Sequence, residues 1–154
     1  MMKLLCEQVL KSLQGKTLAT AESCTGGGIG AAITAVSGSS SVYKGGIISY
    51  QNEIKRDLLG VSEKDLINIG PVSSPVAEQM AKGARMTLKA DVAVSVTGLA
   101  GPGGDSFGNP VGTVYIGYAD AKTCFAREFH FFGNREEVRK AAIENALKII
   151  LEKN

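Results

Sequence analysis

Apolar positions recur along the chain at two spacings. Between residues 3 and 14, Leu5, Val9 and Leu13 fall four apart, the spacing of one helix face. Residues 17–22 are short and threonine-rich, and they read as extended. From Gly26 to Val36, the positions Ile29, Ala32, Ile33 and Val36 again mark a helix face. "GGIISY" at 45–50 is a compact β-branched run, expected as a strand. "NEIKRDLLG" at 52–60 reads as a short helix closed by Gly60. A longer helix follows, with Ser74 as its expected cap, Pro75 in its first turn, and Val76, Met80, Ala84 and Leu88 as its buried stripe. "DVAVSVTG" at 91–98 is a strand that runs into a glycine-rich loop. "GTVYIGYAD" and "TCFAREFHFF" predict a hairpin that turns at 120–122. The last helix is expected to start at Asn134 and to bury Val138, Ala142, Leu147 and Ile150.

Helices and strands alternate through the first two-thirds of the chain, and then a hairpin and a helix follow. This order predicts an α/β fold: a single three-layer domain over 1–154, with a mixed β-sheet covered by helices on both faces. In such sheets ligands bind at loops beyond the strand ends. Three loops qualify, at 23–28, 37–41 and 97–109.

Composition narrows the classes. The 154 residues are 44% hydrophobic and 21% charged, as in a globular domain with one core. Net charge is +2 and basic residues alternate with acidic ones, so no nucleic-acid partner is expected. No apolar run is long enough for a membrane span, and the start reads as a helix rather than a signal peptide. Cys6, Cys24 and Cys124 are odd in number and far apart, which argues for a reducing, cytoplasmic setting. They lack metal-ligand spacing, and no metal or other cofactor is expected. The single histidine, His130, lies in an alternating run and reads as a strand-face residue.

Four features carry candidate chemistry. The loop at 97–112 holds six glycines and two prolines, so its backbone amides can cradle an anion or an oxyanion. It matches neither the P-loop nor the dinucleotide fingerprint. Ser39, Ser40 and Ser41 follow a helix, and Tyr50 and Lys55 straddle the next strand–helix junction. A desolvated lysine can take a serine proton without histidine, although a lysine on a short helix is also simply solvated. "SCTGGG" at 23–28 can cap the next helix through Ser23 or Thr25 and can present free amides to an anion. Cys24 there has no histidine partner that would make it a nucleophile. Arg135 and Arg139 lie four apart, suited to a phosphate or to pairing with Glu136 and Glu137.

Taken together, "TAESCTGG", "GSS", "GGIISYQNEIKRDLLGV", "GPVSSPVAEQMAKGAR", "SVTGLAGPGG", "PVGTVYIGYA" and "GNREEVR" resemble the C-terminal domain of the competence-damage protein CinA, a nicotinamide-mononucleotide amidohydrolase family. The resemblance spans roughly residues 5–150, with the motifs in the family's order. It looks like the stand-alone bacterial form of that enzyme, without the preceding domain of two-domain members.

The resemblance implies metal-independent hydrolysis of the carboxamide of nicotinamide mononucleotide, in pyridine nucleotide salvage. The alternative is a non-catalytic mononucleotide-binding or partner-binding module. Carried over position by position, the family pattern puts the nucleophile on Ser40 and the general base on Lys55. Tyr50 and Ser23 join the proton network, with Ser23 the alternative nucleophile. Thr25, Gly26, Gly27, Thr97, Gly98, Ala100, Gly101, Gly103, Arg135 and Arg139 are the implied substrate-binding residues. A homo-oligomer is implied, a dimer by default, and Phe129, Phe131 and Phe132 are candidates for its interface. Three positions depart from the family: Ser74 replaces an acid, Asn109 a lysine and Asn134 an aspartate.

Overall fold

A computed structural model describes residues Met1–Asn154. Its five-stranded sheet has the order β2-β1-β3-β4-β5. The strands are β1 (Leu18–Glu22), β2 (Tyr43–Ile48), β3 (Val92–Gly98), β4 (Thr113–Ala119) and β5 (Cys124–His130). β1 runs parallel to both β2 and β3, while β4 and β5 add an antiparallel hairpin. The helices are α1 (Met2–Ser12), α2 (Gly28–Thr34), α3 (Asn52–Leu59), α4 (Glu63–Asn68), α5 (Ser74–Thr87) and α6 (Arg135–Lys153). The expected three-layer domain with a mixed sheet is the one observed. No helix is long and apolar enough to cross a membrane.

The two faces of the sheet differ in side-chain size, and this difference sets the layers. Leu18, Val92, Val94, Val96, Val114, Ile116 and Tyr118 share one core with α1, α2 and α6. The alternate positions are small: Ala19, Ala21 and Ala93 pack under Val76, Met80 and Ala84 of α5. Period-two alternation therefore separates a bulky face from a shallow one. The shallow face lets α5 approach the strands at backbone distance. Ser95 Oγ donates to Ala77 O at 2.6 Å. A Cβ at Gly117 of β4 would collide with the same carbonyl.

Several local expectations need adjustment. β2 starts earlier and stops before Tyr50, because its residues pair along β1 from Leu18 to Glu22. Helix α4 is an addition; Ser62 caps it by accepting from Asp65 N at 3.2 Å. Ser74 is the first residue of α5 rather than its cap. The cap position belongs to Ser73, whose hydroxyl instead donates back to Gly70 O at 2.8 Å. Gly60 closes α3 with a left-handed φ of 69°, as its position predicts. Asn134 caps α6 in a reciprocal pair with Glu137, so its departure from aspartate leaves the cap intact. Phe129 and Phe131 stack on each other against the core, and only Phe132 of the three is fully displayed. His130 ends β5 on an exposed face beside Glu128.

Candidate active site

α2 connects β1 to β2 across one face of the sheet, and the α3–α5 segment returns to β3 across the other. The chain thus leaves the carboxyl ends of β1 and β3 in opposite senses and opens a crevice between them. A cleft of about 480 Å³ lies there. It is lined by Ser23 and Cys24 after β1, by Tyr50, Asn52 and Lys55 around the start of α3, by the 97–103 loop after β3, and by Arg135 of α6.

Ser23 extends the β1–β3 ladder by one bond, its N–H donating to Val96 O at 2.9 Å. The chain then turns sharply through Gly26 and Gly27, with φ of 58° and 101°, into α2. Only glycine adopts such angles without strain. The turn has two braces. From inside, the Glu22 carboxylate accepts from Thr25 Oγ1 at 2.7 Å, Ile29 N at 2.8 Å and Gly30 N at 3.1 Å. From outside, Arg139 donates to Cys24 O at 3.0 Å and Thr25 O at 3.1 Å.

Lys55 projects from α3 into the same place, and only 1% of it is exposed. Its Nζ donates to Ser49 O at 2.7 Å, to Ser23 Oγ at 3.0 Å and more weakly to Tyr50 O at 3.4 Å. Burial disfavours the ammonium form and lowers the pKa from 10.5 to about 8. In the neutral amine two hydrogens stay on the two carbonyls, and the lone pair faces the Ser23 hydroxyl. That is the arrangement of a serine with its general base. The adjacent Cys24 is the opposite case: burial pushes its thiol up to about 11, so it stays protonated at neutral pH.

The glycine-rich loop supplies the other wall. Thr97 ties it to the start of α5, donating through Oγ1 to Pro71 O at 2.8 Å. Ala100, Gly101 and Gly103 line the cleft, and their backbone N–H groups make no hydrogen bond within the protein. Arg135 donates to Gly101 O at 2.7 Å and to Tyr50 Oη at 3.3 Å. The charged side chains on the lining are Lys55 and Arg135, with no carboxylate among them. Such a cleft favours an anionic ligand.

Of the residues singled out in the sequence, the cleft brings together Ser23, Tyr50, Lys55, Thr97, Gly98, Ala100, Gly101, Gly103 and Arg135. Ser40 is not among them. It is exposed in a 3-10 turn ahead of β2, whereas Lys55 is hydrogen-bonded just beyond the strand's other end. The length of β2 separates the two, roughly 16 Å at strand rise. The fold does not bring Ser40, the expected nucleophile, to Lys55; the hydroxyl it sets against Lys55 is that of Ser23, the alternative. Tyr50 is repositioned too: only its carbonyl touches Lys55, and its hydroxyl accepts from Arg135. Thr25, Gly26, Gly27 and Arg139 are not on the cleft lining; Thr25 is held by Glu22, and Arg139 clamps the turn through the Cys24 and Thr25 carbonyls. Asn109 is not on the lining but adjoins it, bonded through Nδ2 to Asp105 at 2.8 Å and to the carbonyl of the lining residue Val72 at 3.4 Å.

Glu22 and Asn52 are the residues that sequence reasoning passed over. An acid ending the buried strand "LATAE" was the available signal for the first. For the second it was the three-residue spacing from Lys55 on one helix.

The model of the CinA C-terminal domain family matches residues 2–153. A CinA-like protein of Endomicrobium trichonymphae is 46% identical over 138 residues, covering 90% of this chain and 32% of that protein. One from Synechococcus is 47% identical over 150 residues, covering 95% of this chain and 36% of that protein. The chain thus spans about a third of the length of the curated relatives it matches. Among solved structures, the competence/damage inducible protein CihA from Agrobacterium tumefaciens is 38% identical with a TM-score of 0.94, covering 98% of this chain and 94% of that one. A competence-damaged protein (CinA) superfamily protein from Escherichia coli is 32% identical with a TM-score of 0.97, covering 100% and 91%. Family match, relatives and fold agree: this chain belongs to the CinA C-terminal domain family.

Proposed function

We propose that this chain hydrolyses the carboxamide of nicotinamide mononucleotide to nicotinate mononucleotide and ammonia, with Ser23 as nucleophile and Lys55 as base. The observation that carries the reading is the 3.0 Å contact between Lys55 Nζ and Ser23 Oγ in a cleft without carboxylates. The choice of substrate rests on the family resemblance. It is supported by a lining that offers Arg135 to a phosphate and Val72, Leu99 and Ala100 to a ring.

Neutral Lys55 accepts the hydroxyl proton as Ser23 Oγ attacks the carboxamide carbon. The negative charge that develops on the carboxamide oxygen is met by free N–H groups of the 100–103 loop. The C–N bond then breaks, and the nitrogen leaves as ammonia with the proton from Lys55. An acyl ester remains on Ser23. Water attacks the ester with Lys55 again taking the proton, and the carboxylate product leaves with Ser23 regenerated.

The test is ammonia release from nicotinamide mononucleotide by the purified protein and its Ser23→Ala, Lys55→Ala and Ser40→Ala variants. The first two substitutions are expected to lower turnover by orders of magnitude. Ser40→Ala is expected to keep most of it. No ammonia from the parent protein refutes the activity, and a dead Ser40→Ala beside an active Ser23→Ala refutes the nucleophile.

A further inference from the structure

Glu22 is 2% exposed and lines no part of the cleft. Its carboxylate spends all its contacts on the turn after Ser23, taking Thr25 Oγ1, Ile29 N and Gly30 N. Its carbonyl accepts from Ser49 N at 2.8 Å. Ser49 O in turn accepts from Lys55 Nζ at 2.7 Å. One residue thus holds both halves of the dyad: through its side chain the turn that aims Ser23, and through its main chain the carbonyl that aims Lys55. A buried carboxylate is costly unless it is fully hydrogen-bonded, and this one is. Two of its donors are amides of the first turn of α2, so the carboxylate also fixes where that helix begins.

We propose that Glu22 is the positioning residue that sets the Ser23–Lys55 geometry, acting through hydrogen bonds rather than through its charge. The inference rests on the Ser23–Lys55 reading above. Burial lowers the Lys55 pKa and Cys24 partly opposes it, while Glu22 is not among the groups that move it, so loss of the Glu22 charge is expected to leave the base's titration in place.

The discriminating variant is Glu22→Gln. The amide carbonyl can keep Thr25 Oγ1 and Ile29 N, while the NH2 group faces the Gly30 N–H, donor against donor. The turn then shifts at its helix end. The readout is covalent labelling of Ser23 by a fluorophosphonate, in which Oγ displaces fluoride and Lys55 takes the proton. Rates are taken per folded molecule, well below each variant's Tm, alongside kcat and KM for the mononucleotide. Because a misplacement of about 1 Å can cost a hundredfold, labelling and kcat are expected to fall together by about tenfold or more, with KM little changed. The midpoint of the labelling pH profile is expected to stay where it is in the parent. Parent-like labelling in Glu22→Gln overturns the proposal, as does a shifted midpoint, which would mean that the charge acts. If the parent protein labels at Ser23 but releases no ammonia, the substrate reading fails while this test remains decisive.

Discussion

If Lys55 is the base, the reaction must follow its deprotonation. Burial brings its pKa from 10.5 to about 8. At pH 7 about one molecule in ten then carries the neutral amine, against about one in three thousand for a solvated lysine. Burial therefore raises the competent fraction about 300-fold at that pH. The rate should climb about tenfold between pH 7 and pH 9 and then level off. The assay is kcat/KM for ammonia release across this range, with fluorophosphonate labelling of Ser23 as a substrate-free counterpart. A profile that is flat through pH 8, or still rising in proportion at pH 10, refutes the buried-base argument. The same shift has a stability consequence of definite sign. Between pH 8 and 10.5 the unfolded chain binds a proton that the folded chain does not, so stability rises with pH in this window. Below pH 8 the penalty is complete, about 3 kcal/mol, the net difference between protonating Lys55 in the folded and in the unfolded chain. Lys55→Met should accordingly gain on the parent most at pH 7, and the gain should shrink toward pH 10 in urea titrations.

Two further outcomes follow from named contacts. Arg135→Ala removes the cleft's second cation, which has no carboxylate partner, and should raise KM for the mononucleotide by about tenfold or more, with a smaller effect on kcat. An unchanged KM would place the phosphate elsewhere. Gly117→Ala puts a methyl group against Ala77 O and Ser95 Oγ, where α5 meets the sheet. It should destabilise the fold by about 2–3 kcal/mol in urea or thermal unfolding, and a neutral result would mean that α5 can lift off β4 freely.

Much of this molecule follows from residue order alone. Val92, Val94 and Val96 alternate with Ala93 and Ser95, and that pattern specifies a strand buried on two unequal faces before any partner is known. The αL angle at Gly60 and the cap at Asn134 are local events, settled by backbone sterics and one side-chain hydrogen bond. For the same reason the candidate loops at 23–28 and 97–109 are legible in the sequence, and Lys55 is legible as one available base among solvated lysines. The pairing of serine and base is not. Ser40 and Ser23 are equally good hydroxyls in the sequence, 15 and 32 residues from Lys55. The choice between them depends on which end of β2 faces α3, and parallel pairing with β1 puts Ser49 and Lys55 beside Ser23 at the carboxyl end. Arg135 and Arg139 share a helix face, yet one reaches the cleft and the other clamps the Cys24 and Thr25 carbonyls, because a single helical turn carries the second past the rim. The burial that lowers the pKa of Lys55 is likewise a property of the closed fold. The sequence by itself determined most of the elements and the chemical groups available, since these depend on near neighbours. Only the tertiary structure decided which groups meet and which of them lose their water.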